Sequence, residues 1–323
     1  MNSWRRWFVG VIIAAALVGA VLHWGELRNF AELLRRAEPR WLVVAVALQL
    51  ATYASVAFGW RAVLLRAEGK LYALRPLFRI ALSKLFADQA LPTAGMGGNV
   101  LLVDQLVALG VMRGTAVAAL LISLLGFYAS YLVFAVTALF LLWLHGDATP
   151  LMVGLVTSFV LVAIAIPALA LWLRRRGSKP LPAVVESVRP IRQLLETVAQ
   201  APAELIRDRR LFLRVMLFNA LIFAADVLTL YTCLRALGTE VSLSTSLIAY
   251  ILAAIAVTLG PIPLGLGSFE VVCTSTLRLL GVPLEAALAG TLLLRVLILW
   301  LPLVPGLLLM RTMLRRLGRR PPE

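Results

Sequence analysis

Residues Leu243 to Gly281 read LSTSLIAYILAAIAVTLGPIPLGLGSFEVVCTSTLRLLG, and the interruption in this apolar stretch decides the fold. Arms of about 12 to 17 residues flank the turn Gly260-Pro261-Ile262-Pro263-Leu264-Gly265-Leu266-Gly267-Ser268-Phe269-Glu270. A helix needs ~20 apolar residues to cross a hydrocarbon core of ~30 Å, so each arm is too short to span. Pro261 and Pro263 supply no amide hydrogen, and Gly265 and Gly267 relax the backbone, so the turn cannot continue a helix. The stretch reads as a re-entrant helical hairpin whose irregular backbone faces protein, water or ligand.

Residues 77–110 have the same form, around Leu91-Pro92-Thr93-Ala94-Gly95-Met96-Gly97-Gly98-Asn99. Six further segments are long enough to span, at 7–24, 41–65, 114–144, 150–173, 211–237 and 283–310. The order is span, span, hairpin, span, and then the same again: a first unit over about 1–145 and a second over about 150–312. Three spans per unit is an odd number, so the second unit is upside down relative to the first, which is how an inverted repeat reads in hydropathy. The expectation is one all-α polytopic membrane domain over 1–323, with six spanning helices and two oppositely oriented re-entrant hairpins.

Composition agrees. The chain has 323 residues, is 61% hydrophobic and has a mean hydropathy of +0.93, above the roughly 45–50% apolar content of soluble domains. Its net charge of +15 sits between the spans, where Lys and Arg set orientation and meet anionic headgroups, which argues against a nucleic-acid partner. An N-terminus inside places Arg5, Arg6, Arg66, Lys70, Arg75, Arg79, Arg113, the loop 174–210 and the tail from Arg311 in the cytoplasm, as expected of a bacterial inner-membrane protein with both termini cytoplasmic. The N-terminal apolar run reads as a retained span, since Leu22-His23-Trp24 offers no small-residue cleavage site. Within 174–210, apolar residues from Val184 to Val198 recur at helical spacing and read as an amphipathic helix on the inner leaflet.

An ionisable side chain inside a membrane costs about 2.5–3.5 kcal/mol on insertion scales, so each needs a partner, a wet cavity or a function. Lys84 and Asp88 are four apart on one helical face and can pair, either satisfying each other or leaving Lys84 for a headgroup. Asn99 and Asp104 follow in the same hairpin, Asp104 near its cytoplasmic exit. Asp226 lies mid-span with Asn219 two turns earlier on the same side, and implies a cavity, a tertiary partner or protonation. In the second hairpin Ser268 is placed to cap a helix with Glu270 in its first turn, while the alternative pairs Glu270 with Arg295 as a gate or lipid-head site. Arg278 is the remaining charge there. Cys233, Cys273, His23 and His145 have no metal-ligand spacing, and no HExxH, GxSxG or CxxC motif is present, so neither metal, cofactor nor catalytic residue is expected.

The residues PIPLGLGSFEVVCTSTLRLLGVPLEAALAGTLLLRVLILWLPLVPG resemble the family named for the transmembrane region of lysylphosphatidylglycerol synthase. Pro261, Pro263, Gly265, Gly267, Glu270, Gly281, Arg295, Trp300 and Pro302 stand where that family's pattern has its own. LPTAGMGGN is similar to the family's first turn, with Asn99 where an acid is common. The resemblance implies a protein that flips or transports a bacterial lipid. The synthases carry an aminoacyltransferase domain after this region; this sequence runs to Glu323 without one, so no enzymatic activity is expected.

The leading expectation is a lipid transporter or flippase, its substrate a phospholipid, aminoacyl-lipid or polyprenyl-linked lipid whose headgroup enters a polar cavity between the hairpins. Lys84, Arg278 or Arg295 would meet a phosphate. The competing readings are a membrane-embedded lipid-modifying enzyme and a small-solute transporter. Partners are membrane lipids, with anionic headgroups at the cytoplasmic face, and a homodimer is allowed.

Overall fold

Pro39 opens the first long helix at a position where its missing amide hydrogen goes unused, and Gly69 closes it at φ +65°, its N–H bonding Leu65 O at 3.0 Å. This helix, α1 (Pro39–Glu68), belongs to a computed structural model that describes residues 35, 37–90, 96–145, 149–176, 202–260 and 265–301. Next come α2 (Leu74–Ala90), α3 (Met96–Ala108), α4 (Arg113–His145) and α5 (Pro150–Arg176). They are followed by the short α6 (Ala203–Arg207), α7 (Arg209–Ala236), α8 (Leu243–Leu259), α9 (Ser268–Leu279) and α10 (Leu284–Arg295), which runs on into a π-helical turn, Val296–Trp300. No strand occurs among the described residues.

Among the described residues three helices, α1, α4 and α7, are long and apolar enough to cross a membrane. They match the expected spans 41–65, 114–144 and 211–237. Residues 150–173 are helical in α5, and the expected span 283–310 begins as α10 and the π turn. The span 7–24, the turn residues Pro92, Gly95, Pro261 and Pro263, and the amphipathic part of 174–210 lie outside the described residues.

The short arms are as the sequence expects. Helices α2 and α8 have 17 residues each, α3 has 13 and α9 has 12. At ~1.5 Å per residue the longest reaches about 25 Å, short of a ~30 Å core. Two boundaries differ from expectation. Gly97, Gly98 and Asn99 belong to the first turn of α3 rather than to the preceding turn, because a helix's first turn makes few internal hydrogen bonds and tolerates glycine where a helix middle does not. Ser268 is the first helical residue of α9, not its cap; that place belongs to Gly267, whose φ of +87° suits glycine.

Helices α1 and α7 form the centre. Glu38 N bonds Ala236 O at 2.9 Å, Gln49 meets Thr229, and Arg66 meets Asp208, so the two run antiparallel. Helix α4 lies along α7 in the same direction, with Gly126 opposite Met216 and Phe134 against Phe223. Small residues let these backbones approach: a Cβ on Gly126 would sit 3.3 Å from Met216 N, and Ser130 Oγ donates to Met216 O at 2.7 Å. In a bilayer such packing and interhelical hydrogen bonds do the work that water-driven burial does elsewhere. Two apolar clusters result, one of α1–α4 with the start of α7, the other of α4, α5 and α7–α10. The neighbour pattern repeats: α1 touches α2 and α4, and α7 touches α8 and α10.

At one end Arg66 Nε donates to Asp208 Oδ2 at 2.8 Å, while Asp208 Oδ1 accepts from the Arg210 and Leu211 amides. The Leu211 amide, then the Arg66 side chain, hold the Asp208 carboxyl below its usual range. That carboxylate caps α7 and ties it to the end of α1.

Candidate functional site

Gln49, Tyr53, Val56 and Trp60 recur at helical spacing and turn one face of α1 toward a cavity of about 450 Å³. Lys84 of α2, Asn99 of α3, Ser123 and Tyr128 of α4, and Asn219 and Asp226 of α7 supply its polar wall. Leu85, Leu102, Leu124, Phe127 and Ile222 supply much of the rest, and Ile298 of the π turn closes one side. A cavity mostly apolar with a few convergent polar groups has the make-up of a ligand site.

Asp226 is held by neutral donors. Gln49 Nε2 donates to its Oδ1 at 2.8 Å and to Thr229 Oγ1 at 3.0 Å, and the Tyr250 hydroxyl donates to Oδ2 at 2.7 Å. Among the described residues no Lys or Arg forms an ion pair with it. Nearby, the Tyr53 hydroxyl is sealed from solvent without a hydrogen-bond partner, an arrangement that costs about 1–3 kcal/mol. The cavity wall thus holds an ion-pair-free carboxylate and an unsatisfied hydroxyl.

In the second hairpin Glu270 divides its carboxylate. Its Oε2 accepts from the Gly267 amide at 2.7 Å and its Oε1 from Arg295 Nε at 2.7 Å, so the helix-capping and ion-pairing roles expected as alternatives coexist. The pair is secluded, with side-chain exposures of 9% for Arg295 and 18% for Glu270. The Arg295 guanidinium also lies 5.0 Å from the centre of the Phe269 ring, and that ring meets Tyr250 edge-on at 5.9 Å. A continuous path of contacts therefore runs from Glu270 through Arg295, Phe269 and Tyr250 to Asp226.

The sequence-derived candidates divide accordingly. Lys84, Asn99 and Asp226 share the cavity. Glu270 and Arg295 form a second site joined to it through Tyr250. Asp104 and Arg278 are exposed and are not among the residues that line this cavity, the one lying in α3 and the other in the last turn of α9. Ser268 Oγ donates to Gly265 O at 3.2 Å and so serves the turn. The side chain of Asp88 lies outside the described residues.

Among the described residues this cavity is lined by α1–α4, α7 and Ile298 rather than by both hairpins, and the second hairpin meets it through the Tyr250 hydroxyl on Asp226. The physical reason is that α1 and α7 pack directly together and fill the centre. Gln49, Tyr53 and Trp60 were not singled out in the sequence, although polar and amphipathic residues at one helical face of an apolar span are a readable signal. Arg61, half-buried in α1 with its Nε sealed and unpartnered, carried the same signal.

No functionally curated protein matches the chain. A model of the lysylphosphatidylglycerol synthase transmembrane region matches residues 7–306. With its apolar helices and the Glu270–Arg295 pair of the resembling motif in contact, the chain is a helical membrane protein that belongs to this family.

Proposed function

We infer that the protein is a transporter or flippase of a bacterial membrane lipid, without enzymatic activity of its own. The observation that carries this is the cavity of about 450 Å³ walled in part by the membrane-length helices α1, α4 and α7, mostly apolar but with Lys84, Asn99 and Asp226 among a few polar groups. Such a wall suits a headgroup attached to chains that stay in the bilayer. Family membership points to a lipid-related role.

The two hairpins are read as re-entrant members of an inverted repeat. Their short arms, the odd number of spans expected between them from the sequence and the matching neighbours of α1 and α7 support that reading. The inner-membrane location, with both termini cytoplasmic, rests on the distribution of basic residues. The contacts from Glu270 to Asp226 would let a movement of the second hairpin alter the cavity wall. Against the enzyme reading stands the chemistry of the wall: Asp226 is the carboxylate among its lining residues, and Glu270 is committed to Arg295.

The test is reconstitution into liposomes carrying trace fluorescent phospholipids, with reduction of the outer-leaflet label. Protein-dependent loss of the protected inner pool is expected, reduced at least several-fold by Asp226→Leu. Fluorescence traces indistinguishable from empty liposomes for every phospholipid supplied would remove the transport reading.

A further inference from the structure

Asp226 is where the cavity wall lacks a counter-charge. It stands mid-way along α7, a helix long and apolar enough to span, and among the described residues its hydrogen bonds come from the neutral side chains of Gln49 and Tyr250. Lys84 shares the lining but has an interaction of its own and forms no ion pair with Asp226, and Arg295 is held by Glu270. A carboxylate withdrawn from water is either paired or coordinates a metal ion, because an uncompensated charge is costly there.

The oxygens around Asp226 suit the second course. Both hydrogens of the Gln49 amide are spent, on Asp226 Oδ1 at 2.8 Å and on Thr229 Oγ1 at 3.0 Å. Its carbonyl oxygen is left without a donor, in a residue only 2% exposed. Tyr53 follows one turn along the same face of α1; it is 3% exposed, and its hydroxyl has no hydrogen-bond partner. Each Asp226 oxygen accepts a single bond and keeps a further lone pair. All three residues line the cavity.

We propose that Asp226, Gln49 and Tyr53 hold an alkali-metal cation in the cavity wall. A carboxylate, an amide carbonyl and a hydroxyl are the oxygen ligands that hard cations take, and a cavity of about 450 Å³ has room for water to complete the shell. One carboxylate balances one positive charge. Among the described residues no group of three His, Cys, Asp or Glu gathers to hold a divalent or transition metal. The ion also has a route to the rest of the molecule, since the Tyr250 hydroxyl on Asp226 belongs to α8 of the second hairpin. Resting on the transport reading, that contact couples ion binding to movement of the hairpin, and the coupling is reciprocal.

Equilibrium binding of radioactive sodium and of radioactive rubidium, a stand-in for potassium, to the purified full-length protein reads the site directly. Saturable binding of at least one of the two is expected, displaced by the unlabelled ion and not by methylammonium. Asp226→Asn, which keeps the size and removes the charge, should weaken binding about tenfold or more. Tyr53→Phe, which removes only the unpartnered oxygen, should weaken it several-fold, and Asp104→Asn, at an exposed carboxylate outside the cavity, should leave it unchanged. The proposal is overturned if neither ion binds saturably, if methylammonium displaces the ion as readily as the ion itself, or if Asp226→Asn binds like the parent. Should Asp226→Asn not fold, the wild-type series and Tyr53→Phe decide. Ion binding without lipid movement in liposomes would leave the site standing and remove the transport reading; lipid movement by a protein that binds neither ion would do the reverse.

Discussion

Removing Glu270 takes from the Arg295 guanidinium the carboxylate at 2.7 Å and from the Gly267 amide its acceptor in one step. Breaking a secluded ion pair from one side costs about 3–5 kcal/mol, whereas an apolar replacement of both partners is often close to neutral. Glu270→Ala is therefore expected to lower the melting temperature in detergent most. Arg295→Met should do so less, because Glu270 keeps the Gly267 amide. Glu270→Ala/Arg295→Met should melt near the Arg295 variant rather than at the sum of the two losses. Simple additivity in this double-mutant cycle would show that the pair is not coupled. At this scale the sequence is half legible. Glu270 stands out because charge in an apolar run is costly, and its capping position is local, three residues from Gly267. Its partner 25 residues away required the motif, and the pairing of Asp226 with its donors could not be read: Gln49, polar on an apolar span, is 177 positions distant, and a tyrosine such as Tyr250 in an apolar arm carries no mark of its partner.

The turn between α8 and α9 is held by a glycine in a conformation that other residues resist. Gly265 has φ +61°, and a Cβ there would lie 2.2 Å from Val257 Cγ2, on the arm the turn must fold back against. Gly265→Ala is expected to destabilise the protein by both strain and collision. Val257→Ala in the same chain should recover only part of the loss, since the φ penalty and the contact to the Val257 Cβ position remain. Gly267→Ala meets open space and should show the conformational penalty alone. The check is the order of melting temperatures; full rescue by Val257→Ala would mean that φ strain contributes nothing. The hairpin itself was legible because arm length and Pro/Gly punctuation are local facts. The start of α3 at Met96 was not, since glycines that look like a turn can equally lie in a first helical turn. Nor was the π turn after Arg295, which carries Ile298 of the cavity wall, since its extra residue per turn has no compositional mark.

For the molecule as a whole, orientation follows from parity. Helix α1 is antiparallel to α7 and α4 is parallel to it, which is what results if α1 leaves toward the face from which α4 and α7 both start. Basic residues cluster at that face, with Arg66, Lys70, Arg75, Arg79 and Arg113 around the ends of α1, α2 and α4. Cytoplasmic loops carry such an excess, so the proposed orientation puts Lys70 inside and Thr239, in the turn after α7, outside. Among the described residues, the first hairpin, the long helices α4, α5 and α7 and the short α6 stand between them; on the proposed reading the re-entrant hairpin contributes no crossing, and the three long helices invert the side. Helices α4 and α7 are long and apolar enough to span, and the apolar run 150–173 in α5 is expected to cross with them. Cys233 and Cys273 are buried, so a single introduced cysteine can be read against a quiet background. Lys70→Cys is expected to react with a membrane-impermeant maleimide only in inverted vesicles, and Thr239→Cys only in right-side-out spheroplasts. Labelling of both from one face would mean that α5 does not cross, and the second hairpin would then enter from the same side as the first, which dissolves the inverted repeat while leaving the cavity of α1–α4 and α7 intact.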